Sequence, residues 1–279
     1  MKKYLKYIFG GIIAVIVIVG MIAFQVKLNK FSEDDLSIYY FNAGKADACI
    51  IKIKDKYMMI DTGESDLFPT IEQYFKTNNI KTLDYLIITH FDKDHVGSAG
   101  KIVENYEVKE ILQSSIKKEN DEYVSYANAV ESLGIQPKTI YDNYDFELEG
   151  LKITVNGTKT LFENNESNNS SLITMINYRN NDFLFMGDAQ NARLKEFLEK
   201  NNKTFDFIKM PYHGKSMKQI DNLLEEVKPR YAVITSSRKE MEDEETVNML
   251  KNLNIKYYLT REGSVLIKSN GNKIVIEQE

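Results

Sequence analysis

The sequence predicts an α/β fold in which two strand-rich halves form a helix/sheet/sheet/helix sandwich, as one domain spanning residues 36–279. Three observations lead to this prediction. The chain has 279 residues and is 43% hydrophobic, so it can bury a full core. Short apolar runs typical of strands alternate with segments of helical periodicity in both halves. Several runs end in histidine or aspartate, at the strand ends where α/β enzymes carry their chemistry.

The first half opens with closely spaced strands, and the second half ends with helices that alternate with strands. Apolar residues at helical spacing mark the helices, and Gly134 is a helix stop signal. The predicted strands are 36–42, 46–53, 57–60, 83–89, 108–112, 146–148, 151–155, 172–178, 182–186, 205–210 and 230–235, with further strands near residues 257, 265 and 274. The predicted helices are 67–77, 98–106, 122–133, 189–200, 217–227 and 242–253.

The segment from Thr89 to His95 is the strongest functional signal in the chain. It places two imidazoles and two carboxylates directly after an apolar strand, and the chain has only three histidines. The third, His213, again follows an apolar strand-like run. A neutral imidazole nitrogen binds divalent metals, and carboxylates complete the shell while neutralising its charge. These residues therefore indicate a metal site.

Two further aspartates stand at predicted strand ends. Asp61 follows the run Met58-Met59-Ile60, and Asp188 follows Phe183-Leu184-Phe185-Met186-Gly187. Either aspartate alone is ordinary turn chemistry. The ordered set of Asp61, the His90–His95 segment, Asp188 and His213 is a much stronger signal.

In this order the motifs resemble the metallo-β-lactamase superfamily, and most closely the extracytoplasmic hydrolase domain of ComEC-type competence proteins. The loop reads His90-x-Asp92-x-Asp94-His95, similar to the H-x-D-x-D-H of that group. The segment 168–172 stands where an Asn/Ser segment replaces a central histidine, and 211–215 resembles P-H-H-G-S. The segment 42–48 resembles the V-G-Q-G-D-A of the same family. The resemblance covers residue 36 to the C-terminus and implies a metallo-β-lactamase-like αββα sandwich.

The resemblance also implies a site for two divalent metal ions. Asp92 replaces the second histidine of the broad superfamily, and no histidine lies between positions 95 and 213, so a three-histidine zinc site cannot form. The oxygen-rich first position makes Mn²⁺ as plausible as Zn²⁺, with Mg²⁺ as an alternative. Asp188 is the expected bridging ligand. The predicted metal ligands are His90, Asp92, Asp94, His95, Asp188 and His213.

Catalytic and substrate-binding roles follow from the same resemblance. Asp94 and Asp61 are the predicted catalytic residues, and Asp61 suits the orientation of a metal-bound histidine better than direct ligation. Tyr212 and Lys215 replace the family's usual histidine and serine, and this puts the substrate rather than the metal site in question. The residues predicted to bind substrate are Lys215, Tyr212, Asn169 and Ser170.

The leading functional interpretation is a metal-dependent phosphodiesterase or nuclease related to competence DNA processing, with nucleic acid or another phosphodiester as substrate. Two alternatives stay open: a metallo-hydrolase of lactam, lactone or thioester bonds, and a noncatalytic, surface-tethered binding module. The net charge of −5 provides no global basic field, so nucleic acid would need a local patch. The single cysteine, Cys49, excludes an intramolecular disulfide.

The N-terminus predicts a membrane anchor. Residues 8–24 carry no charge and follow Lys2, Lys3 and Lys6. A helix of that length reaches roughly 26 Å, close to the hydrocarbon thickness of a bilayer. The lysines favour a cytoplasmic N-terminus at residues 1–7. The chain is then predicted to be a single-pass membrane protein, with a linker at 25–35 and an extracytoplasmic hydrolase domain. A cleaved signal peptide and a buried core helix are the alternatives.

Overall fold

The computed structural model describes residues 30–160 and 166–279. The strands within these ranges are β1 Leu36–Tyr40, β2 Ala48–Ile53, β3 Lys56–Thr62, β4 Thr82–Ile88, β5 Glu107–Gln113, β6 Lys138–Thr139, β7 Asn143–Leu148, β8 Leu151–Asn156, β9 Ile173–Tyr178, β10 Asn181–Phe185, β11 Phe207–Lys209, β12 Tyr231–Ile234, β13 Lys256–Leu259, β14 Val265–Ser269 and β15 Ile274–Gln278. The α-helices are α1 Phe68–Thr77, α2 Lys93–Val96, α3 Ala99–Asn105, α4 Asp121–Ser132, α5 Glu166–Asn169, α6 Asn191–Lys200, α7 Ile220–Val227 and α8 Glu244–Asn252.

Two mixed sheets form the centre of the fold. The first has the order β15-β14-β1-β2-β3-β4-β5-β6, and the second has the order β13-β12-β11-β10-β9-β8-β7. The α/β prediction with two sheets is therefore confirmed. Strands β3, β4 and β5 are parallel, as are β10 to β13, whereas β2 and β9 run antiparallel to their neighbours β3 and β10. The carboxyl ends of β3, β4, β10 and β11 thus share edges with the amino ends of β2 and β9.

The core has three apolar layers, one between the sheets and one between each sheet and its helices. These layers explain why many strands have continuous hydrophobic sequences. In β4, Ile87 packs in the layer between the sheets, while Leu86 and Ile88 face the helices of the first half. The second sheet is covered in the same way, with Ile208 packed against Leu224 and other apolar residues of α6, α7 and α8. A strand that is covered on both faces needs apolar residues at every position, which removes the usual alternation.

The structure corrects several of the predicted element bounds. Helix α2 begins inside the loop of residues 90–95, and α5 lies in a polar stretch; the sequence predicts no helix in either segment. Both have four residues, too few to show helical periodicity. The two-residue strand β6 was also missed. Strand β11 has three residues rather than the predicted six, because pairing with β10 and β12 covers only Phe207–Lys209.

No helix in residues 30–160 or 166–279 is both long and apolar enough to cross a membrane. The predicted anchor, residues 8–24, lies outside the described residues. Strand β1 begins at Leu36, where the predicted domain begins.

Candidate metal centre

The predicted ligands lie where the two sheets meet at one edge. His90 follows β4, Asp188 follows β10, and His213 lies in a short 3₁₀ turn after β11. The sheets approach closely here, since the backbone N–H of Leu172 donates to the carbonyl of Thr89 at 2.9 Å. The structure brings all six predicted metal ligands together at this edge.

The backbone next to the ligands is left-handed at Gly187 and at Tyr212 and His213. Gly187 has φ +51°, and a Cβ there would lie 3.0 Å from Cβ of Thr89. Tyr212 and His213 have φ 47° and 52°, a left-handed conformation that costs energy in residues other than glycine. The fold therefore holds a strained turn at the point where it delivers the third imidazole to the site.

Each of the three imidazoles is oriented through its Nδ1 atom. Nδ1 of His95 lies 2.8 Å from Oδ2 of Asp61, and Nδ1 of His213 lies 3.1 Å from both the carbonyl and the hydroxyl oxygen of Thr235. Nδ1 of His90 lies 3.1 Å from the hydroxyl oxygen of Thr89. Acceptors at Nδ1 place the ring proton there and leave the Nε2 lone pair free for a metal.

Asp61 organises two of these contacts. It follows the predicted apolar run inside β3, is 1% exposed and has φ 54°. Its carboxylate accepts hydrogen bonds from the backbone N–H and hydroxyl of Thr89, at 2.8 and 2.7 Å. Because the Thr89 hydroxyl donates its proton to Asp61, it must accept from His90. Burial raises the pKa of Asp61, although contact with His95 opposes that rise.

The three Nε2 atoms point at the carboxylates. Nε2 of His213 lies 3.0 Å from Oδ2 of Asp188 and 3.4 Å from Oδ2 of Asp94, and Nε2 of His95 lies 3.4 Å from Oδ2 of Asp188. Nε2 of His90 lies 3.8 Å from Oδ1 of its neighbour in the motif, Asp92. All three Nε2 atoms are buried, and none has a hydrogen-bond partner among the residues that the structure describes.

The electrostatics of the site match a cation-binding role. Burial opposes protonation of His95 and His213, yet nearby carboxylates, with Asp188 foremost, outweigh it and raise both pKa values. Burial, with help from His95, lowers the pKa of His90 to about 3. Despite its own burial, Asp188 has a pKa far below the usual range because His213 and His95 stabilise its charge. Asp188 is thus ionised and attracts positive charge into the site.

Sequence reasoning missed a buried ion pair beneath the ligands. The ammonium of Lys209 contacts Oδ2 of Asp47, donates to the carbonyl of Gly187 at 3.0 Å and lies 3.7 Å from Oδ1 of Asp188. Burial acts to lower the pKa of Lys209, but the two carboxylates raise it overall. One signal was available: Lys209 is a single cation inside the apolar run Phe205–Met210.

The predicted substrate-binding residues make structural contacts in this state. The ammonium of Lys215 donates to the carbonyl of Met241 at 2.7 Å and lies 3.1 Å from Oδ1 of Asp243. The Asn169 side chain accepts from the backbone N–H of Arg193 at 3.2 Å. The Ser170 hydroxyl donates to the carbonyl of Ser167 at 2.6 Å, and Tyr212 is partly buried beside His213. Their roles in substrate binding stay predictions.

Two other serines close to Ser170 in the chain contact the candidate ligands directly. The Ser167 hydroxyl donates to Oδ1 of Asp92. The Ser171 hydroxyl accepts from the backbone N–H of Asp188 at 3.1 Å and lies 3.4 Å from Nδ1 of His90. Ser167 and Ser171 therefore support the ligands, whereas Ser170, the serine predicted to bind substrate, does not contact them; its predicted role stays a prediction.

Comparison with known proteins agrees with this geometry. The family profile described as "Metallo-beta-lactamase superfamily" matches residues 42–237, which is most of the chain. The chain belongs to this superfamily. The metallo-beta-lactamase fold implies divalent metal ions, usually two, and supports a metal-dependent hydrolase. The three Nε2 atoms, which have no hydrogen-bond partner in residues 30–160 and 166–279, and the ionised carboxylate of Asp188 beside two of them fit such ions.

Two curated relatives and one solved structure illustrate the similarity. "Recombination protein 2" of Haemophilus influenzae is 23% identical over 228 residues, covering 78% of this chain and 26% of that protein. "ComE operon protein 3" of Bacillus subtilis is 24% identical over 188 residues, covering 66% of this chain and 23% of that protein. The chain thus spans about a quarter of the length of these relatives. Their match confirms the predicted resemblance to ComEC-type competence proteins.

The structure of "the metallo-beta-lactamase fold protein YhfI from Bacillus subtilis" has a TM-score of 0.56 and 9% identity to this chain. The match covers 87% of this chain and 100% of YhfI. At this identity the likeness concerns the fold alone.

Proposed function

We propose that this metallo-beta-lactamase superfamily member is a metal-dependent phosphodiesterase that hydrolyses nucleic acid. The observation that carries the proposal is the convergence of three buried imidazole Nε2 atoms, without hydrogen-bond partners in the described part of the chain, on ionised carboxylates. The similarity to competence proteins supports DNA rather than a lactam, lactone or thioester as the substrate.

The proposed ligand set divides into two positions that share Asp188. His90 and Asp92 lie on one side, and Asp94, His95 and His213 lie on the other. When bound, divalent ions supply Lewis acidity at the phosphoryl oxygens and lower the pKa of the attacking water. The mixture of three imidazoles with three carboxylates suits Mn²⁺ and Zn²⁺, with Mg²⁺ as the harder alternative.

The residues around the ligands prepare the site for this chemistry. Asp61 holds His95 with its Nε2 atom toward Asp188, and Thr235 does the same for His213. These contacts fix both the tautomer and the ring orientation before substrate arrives. Asp94 lines an open cleft beside the site, and we assign its carboxylate the orientation of the attacking water by a hydrogen bond.

We further propose that residues 8–24 anchor the protein in the membrane with the hydrolase domain outside the cytoplasm. The support is the uncharged stretch itself and the lysines that precede it. In this arrangement the enzyme would meet DNA at the outer face of the membrane.

The test is hydrolysis by the purified full chain. Fluorescent single-stranded DNA, bis(p-nitrophenyl) phosphate, a β-lactam and a thioester are offered separately with Mn²⁺, Zn²⁺ or Mg²⁺. We expect metal-dependent cleavage of the phosphodiesters only, and Asp188→Asn and His213→Ala should lower it at least a hundredfold. Asp221→Asn, an exposed carboxylate on α7, is the matched control and should keep full activity.

Cleavage of the acyl substrates instead would replace the proposal with the acyl hydrolase alternative. If the protein binds no divalent ion and cleaves none of the four substrates, the binding module becomes the better interpretation.

A further inference from the structure

The two proposed metal positions differ in one respect: Asp92 is already bound to a cation. Its Oδ1 atom accepts from the ammonium of Lys118 at 2.7 Å and from the Ser167 hydroxyl. The same oxygen lies 3.8 Å from Nε2 of His90. Contact with His90, Lys118 and Ser167 lowers the pKa of Asp92 despite its partial burial. The carboxylate of Asp92 is therefore ionised, but it already forms an ion pair with Lys118.

At the other position, Lys209 lies 3.7 Å from Oδ1 of Asp188, which both positions share, and among the described residues no lysine or arginine pairs with Asp94. Oδ2 of Asp94 lies 3.4 Å from Nε2 of His213, and the ligand atoms of Asp94, His95 and His213 all lie within 4.8 Å of one another. His90, His95 and Asp188 form a second group of this kind. Among the described residues, no such group includes Asp92. Asp92 thus stands apart from the preformed ligand clusters.

The loop that carries Lys118 is tied to the loop that carries Asp92. The side-chain amide of Asn120 donates to the carbonyl of Phe91 at 2.8 Å, and its oxygen caps α4 by accepting from the backbone N–H of Tyr123. These bonds fix the loop two residues from Lys118, and the side chain of Lys118 reaches Asp92 from that loop. Its side chain is 42% exposed, so the ammonium can leave for solvent.

From this geometry we infer that Lys118 is a resident cation that sets the order of metal binding. This rests on the proposed function of the site. The first ion binds at Asp94, His95, Asp188 and His213. The second binds at His90 and Asp92, and more weakly, because it must displace the ammonium of Lys118 or bind next to it. Lys118 thereby raises the metal concentration that is needed to fill the second position.

The experiment measures metal binding to the full chain without any substrate. Metal-free protein is titrated with Mn²⁺ by calorimetry, and the bound ion is counted independently by electron paramagnetic resonance. We expect wild type to show a tight and a weak event. Lys118→Met should tighten the weak event about twofold to fivefold and leave the tight event unchanged, as expected when one partly exposed ion pair is removed.

Two matched variants separate charge from shape. Lys118→Arg keeps the cation and should bind Mn²⁺ as wild type does. Lys93→Met removes another lysine of the same cleft, which pairs with Glu64 at 3.4 Å rather than with Asp92, and should also bind as wild type does. Circular dichroism of each variant confirms that it is folded.

Four results would overturn the inference: equal affinities for both ions in wild type, an unchanged weak event in Lys118→Met, an effect on the tight event alone, or the same tightening in Lys93→Met. These results are distinct from failure of the proposed function. A protein that binds two ions as expected but cleaves no phosphodiester would keep the metal-binding order and lose the proposed activity.

Discussion

The buried pair of Lys209 and Asp47 allows a prediction with a definite magnitude. Replacing Lys209 with methionine keeps most of the apolar stem and removes only the charge. Asp47, 6% exposed, then loses its cation, and the carbonyl of Gly187 loses a donor. Breaking a buried pair by removing one partner costs about 3–5 kcal/mol. We expect the lower end of that range, because Nδ1 of His213 lies 3.6 Å from Oδ1 of Asp47 and compensates in part.

The assay is urea unfolding of the chelator-treated protein, followed by far-ultraviolet circular dichroism. Lys209→Met should lower the free energy of unfolding by about 3 kcal/mol, a large share of the roughly 5–15 kcal/mol typical of a domain. Lys159→Met is the control, because Lys159 pairs with Asp142 at 2.9 Å while the two side chains are 71% and 69% exposed. That variant should show no resolvable change.

The double variant Lys209→Met/Asp47→Asn tests the cause. If the loss comes from an unpaired buried charge, removing the charge of Asp47 should restore about half of it. The reasoning is refuted if Lys209→Met is as stable as wild type, or if the double variant is no more stable than the single one.

Three further predictions concern the metal ligands and the cysteine. Asp61→Asn places a donor against His95 or Thr89, so equilibrium dialysis should show metal affinity about 10–100-fold lower, and wild-type affinity would exclude the orienting role. In the metal-free protein, carboxylates raise the pKa values of His95 and His213 against the effect of burial. The native state then holds protons that the unfolded chain has lost above about pH 6.5, so the stability that these two histidines contribute is complete below that pH and is lost as pH rises; a rise in urea midpoint from pH 6.5 to 8.5 would contradict this. His90 acts in the opposite sense: its pKa is lowered to about 3, so it destabilises the native state as pH falls through about 6.5 and has little effect above that pH. Burial raises the pKa of the Cys49 thiol, so iodoacetamide should label it only in urea, as mass spectrometry would show; labelling of the folded protein would disprove its burial.

Much of the candidate site could be predicted from the chain order alone. Apolar runs mark strands, and a polar ligand directly after a buried run must lie at a sheet edge. That argument applies to His90, Asp188 and His213, and the structure places all three at one edge. The two-sheet α/β fold followed from the same runs. Short helices such as α2 and α5 could not be predicted, because four residues are too few to show helical periodicity.

The partners of those ligands could not be read from the sequence. Asp47 stands at the amino end of β2, and only the antiparallel pairing of β2 with β3 carries it to the edge occupied by the ligands. Lys209 reaches it from the other sheet, so their contact exists only once the sheets pack together. Likewise, Thr235 orients His213 because β11 and β12 are parallel neighbours.

The sequence by itself determined which segments form most of the strands, which candidate ligands stand at their ends and which family these motifs resemble. Only the tertiary structure decided which atoms meet: Nδ1 of each histidine with its orienting oxygen, Lys209 with Asp47, and Lys118 with Asp92. The physical reason is the separation along the chain of the residues involved. Periodicity and strand-end chemistry are local properties of neighbouring residues, whereas hydrogen bonds and ion pairs between strands depend on register and sheet packing, which link residues far apart in the chain.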